Sequence, residues 1–67
     1  MMTLTEIAKE LGLTCLQVGM LKVLGEEIKS GRRAYRSYSD NLSVLEDVYL
    51  RLWLCNEGIA IKEEGAE

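Results

Sequence analysis

The chain has 67 residues, 48 % of them hydrophobic, and a net charge of −3 with no histidine and no proline. A chain this short is one small domain that buries only about 60 % of the surface its unfolded form exposes, so some of its apolar content is expected to face a partner. Without histidine there is no imidazole acid–base or metal chemistry, and two cysteines forty positions apart, Cys15 and Cys55, make neither a disulfide scaffold nor a zinc site.

No metal or other cofactor is expected. Both thiols read as reduced, in a cytoplasmic protein, with Cys55 a small buried apolar residue. The N-terminus lacks the positive end and apolar block of a secretory leader. The longest apolar run, Val48 to Cys55, is broken by Arg51 and falls well short of the roughly 18 residues of a membrane span. The net charge sits at one end: the first 55 residues balance seven bases against seven acids, and the excess lies from Asn56 onward.

Thr3-Leu4-Thr5-Glu6 has capping-box spacing, and Leu4, Ile7, Ala8 and Leu11 then recur at helical spacing. Gly12 suits a left-handed stop. Thr14-Cys15-Leu16-Gln17 repeats the capping pattern and opens a second helix, which carries Val18, Met20, Leu21 and Leu24 and is expected to close at Gly25. Two short helices joined across Gly12-Leu13-Thr14 make a helix-turn-helix. Ala8 permits their close approach, Gly12 permits the turn, and Val18 and Leu21 plug the gap.

Glu26 to Lys29 reads as a short extended run and Ser30-Gly31 as a turn. Ala34 to Tyr38 then alternates like a returning strand, with Tyr35 and Ser37 on one side and Arg36 and Tyr38 on the other. The segment from Lys29 to Ser39 holds four of the eight basic residues and no acid. A basic hairpin results. Ser39 is the expected N-cap of a third helix from about Asp40 to Asn56, with a stripe of Leu42, Leu45, Val48 and Leu52 joined by Tyr49 and Trp53. Gly58 ends it, and Ile59 to Ile61 begins a short C-terminal turn.

This order of elements resembles the N-terminal winged-helix domain of the MerR family, which phage excisionases share. Leu4 to Thr14 is similar to the family's opening. Ala34-Tyr35-Arg36-Ser37-Tyr38-Ser39 resembles its wing motif, with Ala34 for a glycine. In the second helix Gly19 stands where the family has an arginine. The resemblance implies a mainly α fold with a small β-hairpin, spanning 1–64 as one winged-helix domain before a short acidic tail at 65–67. It also implies a transcription regulator or recombination accessory factor that binds double-stranded DNA, with the second helix in the major groove and the wing on phosphates. Tyr35 and Arg36 are the wing contacts it carries over. No effector domain accompanies the domain in this chain, so no small-molecule effector is expected.

The residues assign the contacts as follows. On the outer face of the second helix only Thr14 and Gln17 can hydrogen-bond to base edges, glutamine being suited to adenine. Lys22 and, on the hairpin, Lys29, Arg32, Arg33 and Arg36 can neutralise phosphates, and the four hairpin contacts imply a log–log salt slope of about −3.6. The surplus apolar residues Val44, Leu50, Trp53 and Leu54 are assigned to a homodimer or protein-partner interface, with Leu16, Met20 and Val23 joining the exposed set. An enzyme is not expected, since no nucleophile stands beside a base and no glycine-rich loop could hold phosphate. The alternative function is a winged-helix protein–protein interaction module that has lost base reading, suggested by the arginine-free second helix and the acidic tail.

Overall fold

The computed structural model describes residues 2–61, so the acidic tail at 65–67 lies outside the described residues. Four helices run in order: α1 Leu4–Leu11, α2 Cys15–Lys29, α3 Arg36–Ser39 and α4 Val44–Asn56. Each long helix starts on a capping box. The Thr3 hydroxyl accepts the Glu6 N–H at 3.2 Å while the Glu6 carboxylate accepts the Thr3 N–H at 2.8 Å. Thr14 with Gln17 and Ser43 with Glu46 repeat this exchange. Two of the donors left without partners at each helix start are thereby satisfied.

The helices also end alike. Gly12 adopts φ 78°, and the Leu13 N–H reaches back to the Ala8 carbonyl at 3.0 Å. This left-handed close is open to glycine at no steric cost. It turns the chain sharply into Thr14, which caps α2. Ala8 and Leu21 are buried on either side of this turn, with Val18 packed beside them.

The core is made by α4 packing against both α2 and α1. Its buried members are Ala8, Leu21, Tyr49, Leu50, Trp53 and Leu54. On α4 the buried face is therefore Tyr49-Leu50 and Trp53-Leu54. The expected stripe of Leu45, Val48 and Leu52 is exposed instead. Leu50, Trp53 and Leu54, assigned from sequence to a partner interface, are core residues, and of that set only Val44 is exposed. Cys55, expected to be buried, is exposed, as is Cys15, and both are free thiols.

The expected winged-helix class is corrected here, because there is no strand among the described residues. Two local causes account for this. First, α2 does not close at Gly25. That glycine is buried, and a Cβ placed on it would lie 2.6 Å from Trp53 Cε3. Its lack of a side chain admits the indole and does not signal a stop. The helix runs on to Lys29 and closes at Gly31, φ 84°, where the Arg32 N–H bonds the Glu27 carbonyl at 3.0 Å. Residues 26–29, the expected first strand of the wing, are its last turn.

Second, Tyr35 to Ser39 coils. The Ser39 N–H bonds the Tyr35 carbonyl at 3.1 Å. Tyr35 donates its hydroxyl to Asp47 of α4, and Tyr38 donates its hydroxyl to Glu27 of α2. A strand would send these two side chains to opposite faces, whereas a helical turn lets both reach inward. Ser39 closes this turn, and Ser43 takes the N-cap role on α4.

The two mid-helix glycines of α2 should respond in opposite directions. Gly25→Ala should destabilise the fold by about 1–3 kcal/mol through overpacking against Trp53. Gly19→Ala has open space around the added carbon and should stabilise it by about 0.5–1 kcal/mol. Urea titrations of the two variants measure both changes.

Candidate protein-docking face and basic loop

The outer face of α2 is apolar. Leu16 is 85 % exposed, Val23 58 % and Met20 42 %. They sit at i, i+4 and i+7, so they form one stripe along the helix. The stripe borders an open groove that also takes in Cys15, Gly19 and, from α4, Glu46. Val23 continues into a second depression with Glu26, Glu27, Ser30 and Arg32. Val44, at the start of α4, is 78 % exposed.

The polar groups assigned from sequence to base reading are engaged inside the fold. Thr14 accepts the Gln17 N–H at 3.1 Å. The Gln17 side chain accepts the Thr14 N–H at 2.8 Å with its oxygen and donates its amide to Glu46 at 3.1 Å. This glutamine is half-buried. It ties the first turn of α2 to the first turn of α4.

The residues assigned to phosphates divide. Lys29 is paired with Glu57 at 2.8 Å, and this bond and charge hold its ammonium above the usual lysine range. Tyr35 is half-buried against Asp47. Arg51 stands 5.2 Å from its ring centroid and donates to Asp47 at 3.0 Å. Burial, and then the bond to Asp47, push the Tyr35 phenol up to about 12. Tyr38 is raised chiefly by its bond to Glu27. Lys22 is exposed on α2, Arg36 is exposed on α3, and Arg32 and Arg33 are exposed in the loop between these helices. The three arginines are thus presented by a loop and a short helix, and the two lysines by α2, not by a hairpin.

Sequence reasoning missed four contributors: Glu27, Glu46, Asp47 and Arg51. A signal existed for two pairings, since Ser43-Val44-Leu45-Glu46 is a capping box and Asp47 with Arg51 has i,i+4 spacing. For the tyrosine bonds no local signal exists.

Glu46 binds the Ser43 N–H and the Gln17 amide, and these bonds hold its carboxyl below the usual carboxylate range. Its contribution to stability is therefore present above the ordinary carboxylate pKa and is lost as pH falls through the lower folded value. Ser43→Ala should remove the cap at a cost of about 1 kcal/mol. Carboxyl NMR titration of that variant should show Glu46 moving back up towards the ordinary range, because the Ser43 N–H that it accepts is then less firmly placed.

No protein-family model matches the chain, and no match was found among the curated proteins or the solved structures.

Proposed function

We propose that this chain is a small helical binding module that docks a protein partner on the outer face of α2. In this reading the helix-turn-helix displays that helix and does not read bases. The exposure of Leu16 carries the proposal. A leucine left in water forgoes about 1.5–3 kcal/mol of burial energy, and here Met20 and Val23 extend it into a stripe. The polar groups that would read bases, Thr14 and Gln17, support the same reading because the fold already uses them. No helix of the described residues is long and apolar enough to cross a membrane. A cytoplasmic setting with both thiols reduced completes the proposal.

Arg32 and Arg33 favour a second reading. They are exposed on the loop that follows α2, with Arg36 close by, and could grip duplex phosphates in a transcription regulator or recombination factor. Two such contacts would give a log–log salt slope of about −1.8.

The two readings predict opposite effects at one position. Leu16→Arg adds a cation to the face that would enter a groove. If α2 enters DNA, this change tightens non-specific duplex binding; if α2 docks protein, it only spoils an apolar surface. Anisotropy with a random-sequence duplex at two salt concentrations should show negligible binding for the unmodified chain. Salt-dependent binding that Arg32→Ala with Arg33→Ala weakens, and Leu16→Arg strengthens, would overturn the docking proposal.

A further inference from the structure

Resting on that docking face, we infer that its occupant is a cationic amphipathic helix, with apolar residues at 3.6 spacing for the stripe and lysines or arginines on its flanks. The charges around the stripe carry the inference. Leu16, Met20 and Val23 are followed on the same face, at i+11 from Leu16, by Glu27. Glu26 lies beside it in the depression that Val23 opens. At the other end Glu46 borders the groove from α4. Against these three carboxylates the lining has one base, Arg32. Lys22 lies about 120° round α2 from Leu16, off the stripe.

The stripe from Leu16 to Glu27 is about 17 Å long at 1.5 Å per residue. It therefore presents an apolar middle with acids towards both ends, matching about three turns of helix. The same acids disfavour the other occupants. A second copy seated on this face would bring three more carboxylates to the three already there. Nucleic acid and anionic lipid would each meet them with negative charge of their own.

The test uses the full chain and two synthetic helical peptides of about 14 residues, one built from leucine and lysine and one from leucine and glutamate in the same amphipathic pattern. Calorimetric titration should show the leucine–lysine peptide binding at least tenfold tighter. Glu26→Gln with Glu46→Gln should narrow that preference severalfold. Glutamine at 46 preserves the capping box, and circular dichroism checks that the fold is kept. Glu10→Gln, on α1 and away from the groove, should leave it unchanged. Leu16→Asp should lose binding although it adds an acid, and Val23→Asp should do the same.

If both peptides bind equally and Leu16→Asp still abolishes binding, the docking face stands and the cationic occupant is wrong. If the leucine–lysine peptide binds but Leu16→Asp and Val23→Asp leave it untouched, the binding is charge adhesion and the inference fails. Binding of neither peptide overturns both the inference and the docking face beneath it. A rise in sedimentation mass of the chain alone, lost in Leu16→Asp, would assign the face to a second copy.

Discussion

The contact between Trp53 and Gly25 sets the geometry on which the other elements depend. The six-membered ring of the indole occupies the space in which any side chain at position 25 would stand. This lets α2 and α4 approach closely at a point where a methyl group would force them apart. Leu21, Leu50 and Leu54 then close around the same seam with no measurable exposure. In a domain this small, one large aromatic group buried between two helices is a sizeable part of all the apolar area available. The seam also needs α2 to remain helical through and beyond Gly25. It does so until Gly31.

From that continuation follow the positions of the polar ties. Since residues 26–29 are helical, Glu27 faces Tyr38 and Lys29 reaches Glu57 near the end of α4. Asp47 on α4 meets Tyr35, with Arg51 across the phenol ring. The segment between α2 and α4 is thus fastened at both ends of a single helical turn, to a different helix at each. Gln17 and Glu46 do the same for the two helix starts. Apart from the exposed Lys29–Glu57 pair, each tie satisfies a half-buried polar group, and so lowers the cost of placing it there. The ties occupy the hydrogen-bonding edge of Gln17 and the tyrosine hydroxyls, while Glu27 and Glu46 keep their negative charge.

Local chemistry was the legible part of the sequence. Thr3 with Glu6, Thr14 with Gln17, and the glycines at 12 and 58 announce helix ends through bonds within a few residues. What the sequence concealed depended on distant partners. Gly25 and Gly31 look equally able to stop a helix, and only Trp53, far along the chain, distinguishes them. Tyr35 to Tyr38 alternates like a strand, but its two hydroxyls find carboxylates on two separate helices. Ser39 and Ser43 are both good caps, and the glutamate three residues after Ser43 decides between them. On α4, apolar residues cover so much of the circumference that several stripes fit. The one used is chosen by where α1 and α2 lie, which buries Leu50, Trp53 and Leu54 and leaves Leu45, Val48 and Leu52 outside. The exposed apolar stripe on α2 was partly legible, because Leu16, Met20 and Val23 fall opposite the positions that plug the turn.

That opposition is also why the stripe is hard to explain as structure. Leu21 and Gly25 face α4, and Leu16, Met20 and Val23 turn away from it. Among the described residues no element covers them, and all three stay exposed. Nor does helix stability require them: leucine and methionine have good helix propensity, but lysine, glutamate and glutamine would serve nearly as well in water, and valine is worse than any of these. Gly19 sits among them with open space around it, and a glycine there costs the isolated helix about 1 kcal/mol. A helix that places a glycine beside three exposed apolar side chains is poorly optimised for standing alone. It is better suited to a close neighbour, because a missing side chain lets a second helix approach and the flanking apolar groups then lose their water. Each departure from a good solvent-facing helix points to the same outer face of α2.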